Sequence, residues 1–254
     1  MRKDEKSRRV LSIMFGFGRK SSGDGSRDYS EGKRAYDRKE YKTAFKSFLR
    51  AAEAGHVEAM YAVGMMYHDG LGTTANRSKA VEWWGRASDR GNFRAQYNLG
   101  LAYHLGEGVK RNDDYAYNLV LTSAESGYPL AQYTVGTFCM NGYGAKKSES
   151  EAFRWFLKAG DKGHITAQYN LGVCYEDGIG TEQDYTQALR WYELAAKNGN
   201  PDAMYSLGVM YGDGKGTKNN EREAAKWLRK AADAGHEEAA ELLKSYNDLK
   251  NSDQ

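Results

Sequence analysis

A strict internal repeat constrains this chain more than any other feature of its sequence. From Val57 onward the sequence divides without gaps into five 36-residue units, 57–92, 93–128, 129–164, 165–200 and 201–236. Glycine occupies unit positions 8, 14, 16 and 35 in all five units. With 29 glycines in 254 residues, one such column arises by chance with a probability on the order of 10⁻⁵. A repeat of this length is typical of solenoids, in which successive units stack on one another.

The first part of each unit predicts a helix, termed helix A. Alanine at position 3, tyrosine at position 5 and valine or leucine at position 7 recur in all five units, and position 11 is tyrosine in four units and Cys139 in the third. This spacing indicates one buried helix face. The two prolines, Pro129 and Pro201, both stand at position 1, where a helix tolerates proline best. The paired glycines at positions 14 and 16 are expected to end the helix.

A second helix, termed helix B, follows in each unit. Position 20 always carries a residue that caps helix N-termini well: Asn76, Asn112, Ser148, Asp184 and Asn220. Glu151, Gln187 and Glu223 stand three residues later and predict capping boxes. Alanine at position 24 and glycine at position 8 are expected to allow close helix approach. The large residues at position 27 are expected to fill the space between units: Trp83, Leu119, Trp155, Trp191 and Trp227.

The flanking segments are predicted to cap the array. Residues 29–56 read as a shortened repeat with a tight loop around Lys39 and Glu40, and residues 237–254 as a capping helix and tail, with Lys244 in place of the glycine of position 8. Residues 1–28 read as a basic, disordered tail and linker. Residues 1–20 hold seven basic and two acidic residues, a net charge of +5, and their apolar stretch is too short for a signal peptide or a membrane span. A weak membrane-surface anchor and translated sequence upstream of a start at Met14 remain alternatives.

The pattern A-x-Y-x-[LV]-G-x-x-Y-x-x-G-x-G, followed by A-x-x-W and A-x-x-x-G, resembles the Sel-one-like repeat family, relatives of the tetratricopeptide repeat; residues 29–56 look closer to a plain tetratricopeptide repeat. The resemblance implies an all-α fold, a right-handed α/α solenoid (superhelix) of helix-loop-helix repeats with the A helices on its concave side. It implies protein-interaction scaffolds as the functional class. A secreted branch of the family cross-links its helices with cysteine pairs, which Cys139 and Cys174 do not match, so both are expected to be buried small hydrophobes.

Several kinds of chemistry find little support in the sequence. The net charge of +3 argues against nucleic-acid binding. A Ser-x-x-Lys pair, Ser30 and Lys33, lacks the accompanying motifs of penicillin-binding enzymes, and the Gly-rich loops lack calcium ligands. We expect no cofactor and no metal, although His68 and His104 share position 12 and could share one. The histidines at position 36 and its equivalent before the first unit are expected to cap or pack: His56, His164 and His236.

The positions of helix A that vary between units are the candidate binding surface, an expectation that rests on solenoid architecture. These are positions 2, 6 and 9: Glu58, Ala62, Met65, Arg94, Asn98, Leu101, Leu130, Thr134, Thr137, Thr166, Asn170, Val173, Asp202, Ser206 and Val209. Asn98, Thr134 and Asn170 are expected to form an open row that grips a peptide backbone. The alternative is ordinary solvated surface.

At the level of the whole chain, the sequence predicts a non-catalytic, monomeric, cytoplasmic adaptor for a protein or peptide. A hydrolase of the penicillin-binding type and a self-assembling structural solenoid are the competing hypotheses. The scarcity of cysteine favours a reducing compartment.

Overall fold

The structure, a computed structural model, describes residues 23–252, with side chains described for residues 23–244. These residues form thirteen α-helices and no strand. The helices are α1 (Ser26–Asp37), α2 (Tyr41–Glu53), α3 (Val57–Asp69), α4 (Arg77–Ser88), α5 (Phe93–Leu105), α6 (Asp113–Glu125), α7 (Pro129–Asn141), α8 (Glu149–Asp161), α9 (Ile165–Asp177), α10 (Tyr185–Lys197), α11 (Pro201–Asp213), α12 (Glu221–Asp233) and α13 (Glu237–Ser252).

The order of helix packing is that of an α/α solenoid, which confirms the predicted fold class. The described residues form two compact units, divided between Arg111 and Asn112. Within each unit every helix packs on the next one in sequence, and in the second unit α9 also contacts α11, so helices A of successive repeats touch. The alanine at position 3 of each helix A is fully buried. It leaves room for these close contacts because it adds only one methyl group to the helix surface.

The N-terminal helix pair begins slightly before its predicted boundary. Helix α1 starts at Ser26, three residues before residue 29, and follows Gly25, whose φ of 78° is left-handed. Lys39 has a φ of 62° and makes the tight turn into α2. The predictions made for residues 1–20 lie outside the described residues.

The five B helices begin at the predicted N-cap residues, but the capping boxes differ from the prediction. Each N-cap side chain accepts a hydrogen bond from a backbone N–H in the first turn of its helix. The backbone N–H groups of Ser148, Asp184 and Asn220 instead donate to carbonyls at position 11 of the preceding helix A, each at 2.8 Å. Glu151 and Glu223 pair with basic residues one turn on. The loop thus brings the backbone N–H of the N-cap residue to a carbonyl of helix A. This hydrogen bond replaces the one that the side chain at the third helical position would accept in a capping box.

The histidines at position 36 cap the helices A that follow them, as predicted. Nδ1 of His56, His164 and His236 accepts a hydrogen bond from a backbone N–H at 3.3, 3.2 and 3.3 Å. Each ring also stacks on a tyrosine, with ring centroids 4.3–4.5 Å apart. Such a cap requires a neutral ring, because protonated Nδ1 donates and cannot accept.

This cap gives a pH-dependent stability. Burial lowers the pKa of His164 below its ordinary value of 6.5. Above pH 6.5 the ring is neutral in both folded and unfolded chains, and as the pH falls the unfolded chain binds the proton first, so stability is lost. We expect His164→Asn, which places there the cap found at Asn92 and Asn200, to reduce the loss of stability between pH 7.5 and pH 5, because asparagine caps the helix without titrating. Urea titrations of both proteins at the two pH values measure this, and parallel losses would contradict it.

Candidate peptide-binding face

Helices A and B of one repeat meet through the glycine at position 8. A Cβ added to Gly136 would lie 2.5 Å from the Phe156 ring, and one added to Gly208 would lie 2.6 Å from Leu228. In four repeats the partner is the residue at position 28, which was not among the positions predicted from the sequence. Its identity changes between these repeats, and its large size was the signal available: Trp84, Phe156, Tyr192 and Leu228. This contact sets how far the helix A face stands from helix B.

The large residues at position 27 lie on helix B away from that contact. Trp227 joins a buried cluster with Ala196, Leu207 and Met210 of the preceding helices. In three repeats a cation one turn on lies over the ring, for example Lys158 3.6 Å from the Trp155 centroid. The position 27 side chains therefore fill space between helices, as predicted.

The two loop glycines have separate roles. Helix A ends at the first, at position 14, which is left-handed with φ near 70°, for example 71° at Gly70. The second, at position 16, lies against the backbone of the first residue of a neighbouring helix B. Gly144 meets Asp113 in this way, and Gly108 meets Arg77. Both glycines were expected to end helix A, whereas the second sets the contact between repeats.

The candidate binding positions differ in exposure. All position 2 residues are exposed: Glu58, Arg94, Leu130, Thr166 and Asp202. All position 9 residues are half-buried: Met65, Leu101, Thr137, Val173 and Val209. At position 6, Ala62, Asn98, Asn170 and Ser206 are half-buried and Thr134 is buried. These three positions of helix A are termed the A-helix face.

The expectation of an open polar row at position 6 is wrong for Thr134 and needs revision for Asn98. The Thr134 hydroxyl is buried and donates to the Leu130 carbonyl at 2.9 Å. The Asn98 amide donates to the Met65 sulfur at 3.0 Å and also hydrogen-bonds to the Tyr61 hydroxyl, whose pKa burial raises. Position 6 therefore also ties one helix A to the helix A before it.

The revised role of Asn98 changes the expected effect of its removal. We expect Asn98→Ala to lower the free energy of unfolding by about 0.5–1.5 kcal/mol, because it removes hydrogen bonds to half-buried groups. Thr166→Ala, at an exposed position 2, is the control and is expected to change it by less than about 0.5 kcal/mol. Chemical denaturation of the three proteins measures the difference. An Asn98→Ala variant with the wild-type free energy of unfolding would indicate that the Asn98 side chain is only solvated.

Two cavities open on the A-helix face at equivalent places in different repeats. The first, of about 210 Å³, is lined by residues that include Met65, Trp84, Asn98, Leu101, Leu105 and Glu107. The second, of about 300 Å³, is lined by residues that include Thr137, Phe156, Asn170, Val173, Cys174 and Ile179. Each therefore joins two position 9 residues, one position 6 residue and one position 28 residue. The remaining candidates of the A-helix face lie outside these two cavities.

The residues considered for catalysis and metal binding are engaged in ordinary contacts. The Ser30 hydroxyl is exposed and donates to the Ser26 carbonyl at 2.9 Å. Nδ1 of His68 lies 2.6 Å from the Asp69 carboxylate, and its Nε2 faces Arg77. Across the described residues, no group of three or more His, Cys, Asp or Glu side chains is arranged to hold a metal ion.

The two cysteines are buried and free, as predicted. Burial raises the pKa of both thiols, that of Cys174 to about 11. They are therefore protonated at neutral pH and behave as small apolar groups.

None of the helices within residues 23–252 is long and apolar enough to cross a membrane.

These features define an α/α repeat protein with a varied face on its A helices. The family model described as Sel1 repeat matches residues 11–56, 57–92, 93–128, 129–164, 165–200 and 201–236, and the chain belongs to this family. The match at 11–56 covers the segment for which the sequence analysis favoured a plain tetratricopeptide repeat. The resemblance to the Sel-one-like repeat family is thereby confirmed.

Two solved structures illustrate the similarity. A protective antigen present in uropathogenic Escherichia coli strains and displaying an SLR fold is 28% identical, with a TM-score of 0.83 over 86% of this chain and 48% of the antigen. This chain thus spans about half the length of that relative. A Sel1 repeat protein from Oxalobacter formigenes is 28% identical, with a TM-score of 0.77 over 85% of this chain and 86% of its own. No curated protein matches the chain significantly.

Proposed function

We propose that this chain is a non-catalytic scaffold that binds an extended peptide segment of a partner protein on its A-helix face. Sel1 repeat proteins generally mediate protein–protein interaction, which supports the class. The observation that carries the proposal is the recurrence of an equivalent cavity, at Asn98 and again at Asn170, in two repeats. A polypeptide can offer an equivalent backbone segment to each cavity, because its backbone repeats at every residue.

The lining of the second cavity suits a peptide. Val173 and Ile179 offer apolar surface, while the amide of Asn170 can donate to a peptide carbonyl and accept from its N–H. Such a grip tolerates different ligand sequences because it uses the main chain. Side-chain preference would then come from the residues that vary around each cavity.

Selection from a displayed random peptide library tests the proposal. We expect Asn170→Ala to weaken the binding of the selected peptides by about 1–3 kcal/mol, because a desolvated hydrogen bond is lost. Lys158→Ala, on the outer side of helix B, is the matched control and is expected to leave affinity unchanged. Melting temperatures show that both variants remain folded. Full-strength binding by Asn170→Ala would overturn the placement of the ligand in this cavity.

The proposal includes a monomeric, non-catalytic protein in a reducing compartment such as the cytoplasm, in keeping with two buried free thiols. Turnover in a broad hydrolase screen that disappears in Ser30→Ala would overturn the non-catalytic assignment. Oligomers that grow with concentration in light scattering would favour the self-assembling solenoid instead.

A further inference from the structure

The two cavities of the A-helix face differ in charge. At the first, Asp69 and Glu107 contribute carboxylates, each with a side chain 41% exposed. At the second, the equivalent positions carry Asn141 and Ile179, which are uncharged. The two sites therefore share a shape but offer a ligand different chemistry.

Helix ends add negative potential at the first cavity. Helices α3 and α5 end at Asp69 and Leu105, both of which line it. A helix C-terminus carries a partial negative charge of roughly half an electron, so a carboxylate there is electrostatically unfavourable without a cation. One guanidinium is already present, because Arg77 Nη1 donates to Glu107 Oε2 at 2.5 Å. Asp69 is contacted by His68 Nδ1 at 2.6 Å, and no lysine or arginine is among the residues that line the cavity.

The walls of the first cavity are apolar and incompletely covered. Met65, Leu101 and Trp84 line it, and Leu105 on its rim is 61% exposed. A volume of about 210 Å³ is below the range of sites for whole small molecules and suits one long side chain. An aliphatic stem with a charged end matches apolar walls with a negative rim.

The indole of Trp84 forms part of the cavity wall, and its N–H points into the contact between helices A and B. Trp84 is 4% exposed, and its indole Nε1 has no hydrogen-bond acceptor within the described part of the chain. A buried unpaired N–H is unfavourable, and this one lies at the contact with Gly64, the position 8 glycine of the same repeat, and has no surface open to the cavity. The equivalent residue of the second cavity, Phe156, has no such donor.

We propose that the first cavity binds a lysine side chain of the partner polypeptide, with its ammonium group against Asp69 and Glu107 and its stem between Trp84 and Leu101. This deepens and rests on the proposed function, since it names the side chain that the peptide places there. Arg77 then acts as an internal competitor, because it already donates to Glu107.

The test uses three peptides that differ at one residue, acetyl-Ala-Leu-X-Leu-Ser-amide with X as lysine, norleucine or glutamate. NMR titration follows the indole N–H signal of Trp84, which is assigned by its absence in Trp84→Phe. We expect the lysine peptide to shift this signal at a lower concentration than the other two peptides. Its affinity is expected to be at least about three times that of the norleucine peptide. Equal affinity of the lysine and norleucine peptides, or preference for glutamate, would overturn the proposal.

Two charge variants give effects of opposite sign. Glu107→Gln is expected to lower the affinity for the lysine peptide about three- to fivefold. Arg77→Gln is expected to raise this affinity about two- to fivefold, because the substitution frees Glu107. The norleucine peptide should respond to neither change, which excludes an effect through folding. Weaker lysine binding in Arg77→Gln would contradict the competitor role.

The outcomes also separate this proposal from the proposed function. If the lysine peptide leaves the Trp84 signal unmoved while library-selected peptides still depend on Asn170, the lysine site is wrong and the scaffold function stands. If selected peptides bind independently of Asn170 while the lysine peptide still shifts the Trp84 signal, the lysine site stands and the proposed contact of Asn170 with the peptide backbone is wrong.

Discussion

Replacing Gly144 by alanine is expected to lower the free energy of unfolding by about 3–5 kcal/mol. Gly144 has a φ of +62°, and a Cβ at this position would approach the backbone of Asp113 and Asp114 to less than 3.0 Å. Backbone atoms of a helix cannot move aside as the end of a flexible side chain can. The substitution therefore adds a left-handed strain and also forces two repeats apart.

Gly163 provides the matched control for backbone conformation alone. It has a φ of +83°, and nothing lies within 4 Å of an added Cβ. Gly163→Ala is expected to cost only about 1–2 kcal/mol, the strain of the left-handed conformation. Urea denaturation measures both variants. Equal losses would show that the contact between the repeats at Gly144 is unimportant.

Tyr192→Ala is expected to lower the free energy of unfolding by about 3–5 kcal/mol. Tyr192 is 1% exposed and packs against the position 8 glycine of its own repeat, Gly172. No neighbouring side chain can replace the ring without a shift of helix α9 toward α10. The truncation would therefore leave a cavity in the interface that holds helix A to helix B.

Tyr192→Phe separates the ring from its hydroxyl. The hydroxyl donates to Glu176 Oε2 at 2.8 Å, and burial beside this carboxylate raises the pKa of Tyr192. We expect Tyr192→Phe to lower the free energy of unfolding by about 1.5–3 kcal/mol, because it removes this hydrogen bond to a carboxylate. The ring packing is kept, as it is at Phe156 in the preceding repeat. Calorimetric or chemical unfolding of the three proteins decides between packing and hydrogen bonding. A phenylalanine variant as unstable as the alanine variant would place the whole effect on the hydroxyl.

The helices could be predicted from the sequence because their signals are local. A residue such as Asn220 caps the next few backbone N–H groups, and a glycine such as Gly70 ends a helix through its own φ. The histidine caps could be anticipated for the same reason. Residues that act within a few positions of themselves leave a pattern that the repeat makes visible.

The remaining features depend on contacts between segments distant in sequence. The packing of Phe156 on Gly136 and of Gly144 on Asp113 requires knowing how two helices cross. The burial of Thr134 and the contact of Asn98 with Met65 likewise depend on the neighbouring repeat. The cavities add loop residues whose positions no helical period specifies. For that reason the sequence pointed to positions on helix A and not to the cavities between them.

An NMR chemical-shift map of the protein with a library-selected peptide bound tests the location of the binding surface most directly. Binding at the A-helix face predicts that the largest changes fall at the side-chain amide of Asn170 and the methyl groups of Val173 and Ile179. The indole N–H signals of Trp155 and Trp227, on the B helices, should stay unchanged. Changes centred on those tryptophans, with Asn170 unaffected, would contradict binding at the A-helix face.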